Sequence, residues 1–242
     1  MSDPRFGPLP EAPKRFYERA AAEEGADGFA ILLDGRAAKT PARNPLAAPT
    51  RALGEAVAAE WARQGERIDR LAMPLTRLLA TALDNGVADR AAWIDIVAGY
   101  LRTDLVCYRA EGPAGLVDRQ NAVWTPFLDR FAERFGVRLA LAAGVVAVDQ
   151  PPEAEAAVRR HADSRSVHGL VALKAACEVS GSAVLALAAT ESGGGAGDAF
   201  AACRVDERFQ AEQWGDDAEA LARERAMERE FQAAARYAAL TD

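Results

Sequence analysis

The apolar residues of this chain change period once, and that change limits the folds open to it. In the stretch GFAILLDGRAAKTPA, Phe29, Ile31 and Leu33 alternate as in a half-buried strand, and Asp34-Gly35 is a two-residue hairpin turn. Pro41, Pro45 and Pro49 confine the next stretch of chain to short edge segments. The period then becomes helical. Leu53, Val57 and Trp61 recur at every fourth residue, with Thr50 placed to cap the helix and Gly65 to stop it. This pattern predicts an α+β fold: a small β-rich N-terminal domain over residues 1–70, then a larger, mainly α-helical domain over 71–242.

Local signals fill in the outline. Pro4, Pro8, Pro10 and Pro13 make an extended lead-in, and a short helix is expected over Lys14–Glu24. Pro74 opens a helix that Asn85-Gly86 closes, and Asp89 is placed to cap another carrying Trp93, Val97 and Tyr100. TDLVCYRAEGP reads as extended chain. The helical pattern from Gly115 to Phe135 is expected to kink or split at Pro126 and to end at Gly136. VRLALAAGVVAVDQPP reads as two short strands around Gly144. Beyond Pro152 the pattern is helical, with VHGLVALKAACEV and SAVLALAAT apolar enough for the centre of a bundle. ESGGGAGD is a connector, and the last helix, Asp217–Leu240, aligns Met227, Phe231, Ala234 and Ala238.

Composition removes several functions. With 29 basic and 36 acidic residues the net charge is −7, and no basic run offers the cationic footprint that nucleic acid requires. The longest apolar stretch, Ala183–Ala189, falls far short of the ~20 residues of a membrane span, and the N-terminus has neither signal nor transit character. Cys107, Cys177 and Cys203 lie far apart among apolar residues without a CxxC pair, which reads as buried reduced thiols in a bacterial cytoplasm or, after processing, a mitochondrial matrix.

No cofactor or metal is expected. His161 and His168 come without an HExxH or a third ligand, there is no GxSxG, and SGGGAGD lacks the Lys-Ser/Thr of a phosphate loop. Two stretches resist dismissal. TDLVCYRAE brings Asp104, Tyr108 and Arg109 together, either as a catalytic set for a small molecule, with His168, or as a buried connection. ERFQAEQWGDDAEA sets a lone Trp214 against Gly215 among Gln210, Glu212, Asp216 and Asp217. That is either a partner-binding anchor or the packed corner before the last helix.

KRFYERA, ILLDGRAAKTPARNPLAAPTRAL, AAEWARQGERID, MPLTRLLATALD, TDLVCYRAEGP, RQNAVWTPFLDRFAERFG and QAEQWGDDAEA, in this order, resemble the ATP12 assembly chaperones of the F-type ATP synthase. The resemblance runs from Lys14 to about Leu240. It implies a β-rich N-terminal part ahead of a helical domain. It also implies a non-enzymatic role for a monomer: binding the free alpha subunit and shielding its interface until beta subunits replace the chaperone. Trp214 and Arg109 are then the expected anchors, aromatic and Arg side chains being common ones. Gln210, Glu212 and Asp217 form the polar rim, with Glu212 foremost, while Asp104, Tyr108 and Gly215 are structural. A small-molecule enzyme built on Asp104, Tyr108 and Arg109 is the alternative.

Overall fold

The computed structural model describes residues 12–144, 146–191, 195–215 and 217–241. The proline lead-in before residue 12, Asp216 and the middle of the glycine run lie outside them. The Asp34-Gly35 turn forms as expected. Both residues have positive φ, 48° and 76°, and they close the hairpin between β2 (Gly28–Leu33) and β3 (Arg36–Ala37). Two further strands, β1 (Ala20–Gly25) and β4 (Ala47–Ala48), pair antiparallel with β2 to complete a four-stranded sheet.

β1 replaces the helix expected over Lys14–Glu24. The Ala- and Glu-rich stretch has good helix propensity, but in register from Ala20 opposite Leu33 to Gly25 opposite Gly28 it covers an otherwise open edge of β2. A long-range ladder outweighs local preference here. The side chain of Asp34 adds to it by accepting the Arg19 N–H at 2.8 Å.

Helix α1 (Arg51–Ala62) packs across the sheet, with Thr50 accepting the Leu53 N–H as its cap. Helices α2 (Pro74–Asn85) and α3 (Arg90–Gly99) form where the sequence puts them. TDLVCYRAEGP is not simply extended. Short 3-10 turns over Tyr100–Thr103 and Leu105–Cys107 precede the two-residue strand β5 (Tyr108–Arg109), because the carboxylate of Asp104 draws in the Val106 N–H.

Pro126 does not split its helix: α4 runs unbroken over Ala114–Phe135. Pro126 is exposed, so the carbonyl that loses its N–H partner faces water, while Trp124, Phe127 and Phe131 are buried around it. Gly136, with φ of 69°, ends the helix. Of the two strands expected around Gly144, the described residues form one, β6 (Ala142–Ala143), parallel to β5.

The rest of the described chain is helical: α5 (Pro152–Ser164), α6 (Val167–Ser180), α7 (Ala183–Thr190), α8 (Ala196–Cys203), α9 (Val205–Trp214) and α10 (Ala218–Thr241). α6 is the hub, packed against α10, α7, α3 and α2. Its buried Leu170, Leu173 and Ala176 meet the Phe231, Ala234 and Ala238 face of α10 in one cluster that also contains Tyr17 and Ile31 from the β-rich part. The three cysteines are free and buried.

Candidate functional site

α9 differs from its neighbours in how little of it is buried: Val205 alone. Its Asp206, Phe209 and Glu212 recur at three-residue intervals and so share one side of the helix. That side meets α4. Buried Gln120 donates through Nε2 to Asp206 Oδ1 at 2.7 Å, and Phe209 lies beside Gly115, with the Arg119 guanidinium 5.2 Å from its ring centroid. Arg119 then closes a two-point ion pair with Glu212, Nη1 to Oε1 at 2.7 Å and Nη2 to Oε2 at 2.8 Å. Hydrogen bonding from Arg119 holds the Glu212 carboxyl below the usual carboxylate range.

The other side of α9 faces α10 across an open groove of about 510 Å³. Gln210 and Trp214 line it from α9, and Leu221 and Met227 from α10, with Gly215 and Asp217 at the corner between. Trp214 is 85% exposed, so it does not pack as the corner of the last helix. Gly215, at φ of 86°, makes that corner by donating its N–H to Ala211 O at 2.8 Å. Asp217 accepts the Glu219 and Ala220 N–H groups, each at 3.3 Å, and so starts α10.

Three of the residues singled out in the sequence, Gln210, Trp214 and Asp217, therefore converge on one groove. Glu212 is on the same helix but turned toward α4. Arg109 is elsewhere: only 8% exposed, it donates to Val106 O at 2.7 Å and Asn121 Oδ1 at 3.1 Å and covers the ring of Trp124. An interface anchor must reach solvent, and this guanidinium is turned inward.

The residues of the enzymatic alternative do not converge. Asp104 is fully buried and accepts the Val106 and Val184 N–H groups, joining a 3-10 turn to the start of α7; burial raises its pKa to about 6. Tyr108 donates its hydroxyl to Arg102 O, and His168 Nδ1 lies 2.7 Å from the Tyr237 hydroxyl, on α6 and α10. Among the described residues no three His, Cys, Asp or Glu side chains gather as metal ligands, and no helix is long and apolar enough to cross a membrane.

Arg119 is the residue that sequence reasoning missed. It lies 93 positions before Glu212, and its neighbours in RQNAVW form an ordinary helical run. The only signal pointing to it was its presence in one of the resembling stretches.

A small antiparallel sheet leading into a helical body, with an open groove beside the exposed Trp214, defines an α+β protein with a surface suited to binding. Residues 14–132 match the family model described as ATP12 chaperone protein. The chain is similar to the crystal structure of Atp12 from Paracoccus denitrificans at 36% identity, covering 95% of this chain and 99% of that one, with a TM-score of 0.87. An aspartate-to-lysine mutant of P. denitrificans Atp12p gives 35% identity, 95% and 98% coverage and a TM-score of 0.87. A candidate chaperone from Agrobacterium tumefaciens gives 38% identity, 95% and 87% coverage and a TM-score of 0.90. The chain belongs to the ATP12 family of chaperones.

Proposed function

We propose that this protein assists assembly of the F-type ATP synthase by binding the free alpha subunit, and that the groove between α9 and α10 receives it. The observation that carries the reading is family membership over nearly the whole chain, joined to an 85%-exposed Trp214 at the lip of an open groove. Trp is among the residues most enriched at binding hot spots, and this one stands beside a groove deep enough to seat a partner's side chains.

The function needs no chemistry. An orphan ring subunit exposes an interface of the obligate kind, commonly more than ~2,000 Å² in total, which sticks to wrong partners until the right one arrives. The chaperone covers part of that surface and yields to beta. Trp214 supplies the anchor, while Gln210 and Asp217 supply the polar rim that orients it. Glu212 contributes from the same helix.

Co-expression with recombinant alpha subunit tests the function: the reading predicts more soluble alpha and a complex that co-elutes. Alpha that stays insoluble and elutes alone rejects it.

A further inference from the structure

Glu212 and Trp214 are two residues apart, so they project about 200° apart around the axis of α9. The groove beside Trp214 is lined from α9 by Glu207, Gln210 and Ala211, and not by Glu212. Both Glu212 oxygens already hold Arg119 at 2.7 and 2.8 Å. A partner seated in the groove therefore meets Trp214 from one side while Glu212 faces the other.

Contacts thin out toward the outer end of α9. With Val205 its only buried residue, its first turn is tied by Gln120 to Asp206. Its middle is held by Phe209 beside Gly115 and by Arg208, which donates to Glu224 of α10 at 3.2 and 3.0 Å. Beyond Phe209 the one side-chain tether among the described residues is Glu212, gripped at two points by the guanidinium that also covers Phe209 at 5.2 Å. Arg suits this place because its planar fork fixes direction as well as distance, which a lysine ammonium does not. An exposed pair of this kind contributes little to global stability. Its consequence is local: it sets where a ten-residue arm ends, and so where Trp214 stands.

The geometry points to Arg119 as a positioning residue for client binding: from α4, through Glu212 and Phe209, it holds α9 at the angle that presents Trp214 to the groove. Glu212 serves the client through Arg119 rather than by touching it. This rests on the groove being the client surface, and the experiment separates the two ideas.

The variants Arg119→Glu, Glu212→Arg, the double exchange of both, Arg119→Lys and Trp214→Ala are made in the full chain. Affinity for recombinant alpha subunit, melting temperature and amide hydrogen exchange across α9 are measured for each. Each single reversal is expected to weaken binding about tenfold and speed exchange over residues 208–214, at nearly unchanged melting temperature. The double exchange restores both, and Arg119→Lys falls between. If the exchanged pair binds no better than Glu212→Arg alone, Glu212 contacts the client directly and the proposal is wrong. Tighter binding by Arg119→Glu also overturns it, since the pair would then be masking the site. If Trp214→Ala binds like the unmodified protein, the groove is not the client surface. The exchange data still decide whether Arg119 holds α9, because they need no partner.

Discussion

Glu60 and Thr76 join the β-rich part to the helical body: the carboxylate at the end of α1 accepts the Thr76 N–H at 2.8 Å and its hydroxyl at 2.7 Å, in the first turn of α2. Its other oxygen accepts the Leu75 N–H at 2.9 Å. An acid on one helix thus caps the next, where the helix dipole favours negative charge. Asp84, at the other end of α2, instead ties down the proline-rich loop by accepting from Thr40, Ala42 and Asn44.

Glu60→Ala leaves the Leu75 and Thr76 N–H groups without acceptors in a place water hardly reaches. A loss of about 1–3 kcal/mol is expected in urea unfolding. Affinity for alpha should be unchanged, because the substitution is remote from α9.

Trp214→Ala should do the opposite. Binding to alpha falls by about 2 kcal/mol or more, as for a central aromatic anchor. The melting temperature holds, because the side chain is 85% exposed and supports nothing beneath it. Titration calorimetry and a thermal melt on the same preparation check both halves.

His161 gives a pH signature. Its Nε2 accepts from Arg165 Nε at 3.1 Å and its Nδ1 is 3.5 Å from an Arg134 nitrogen, with Glu191 4.0 Å away. Burial, then the charges of Arg165 and Arg134, push its pKa down to about 4. The unfolded chain takes up this proton near pH 6.5 and the folded one only near 4, so stability present above 6.5 is lost as pH falls between those values. His161→Gln should remove about 2–3 kcal/mol of the acid sensitivity across that window, seen as a shallower dependence of the urea midpoint on pH.

Two glycines separate strain from collision. A Cβ on Gly28 would lie 2.4 Å from Ala48 O, at φ of 111°, so Gly28→Ala forces β2 and β4 apart and should cost more than about 3 kcal/mol. Gly35 has φ of 76° and nothing within 4 Å of the same position, so Gly35→Ala should cost only about 1 kcal/mol. Chemical denaturation of the two variants side by side checks the difference.

The sequence was most legible where order is local. Asp34-Gly35 sets its own turn, Thr50 its own cap, Gly136 its own stop, the apolar row of α10 carries the helical period, and the apolar runs of α6 and α7 mark the centre of the bundle. Sequence went astray where distant partners decide. The Lys14–Glu24 stretch looks helical until β2 offers it an edge, and Pro126 looks like a break until Trp124, Phe127 and Phe131, buried around it, keep α4 continuous. Arg109 resembles a surface anchor by residue type, yet Trp124 and Asn121 enclose it.

By itself, then, the sequence determined the α+β order of the chain and, through its matching stretches, the family. Both reside in residue pattern along the chain, where spacing is the physics. Which way each side chain faces was decided by tertiary structure alone. Trp214 points outward because α9 lies on α4 through its other side, and Glu212 meets Arg119 across 93 residues of chain. No local spacing encodes such a pairing; it exists only once α4 and α9 are packed together.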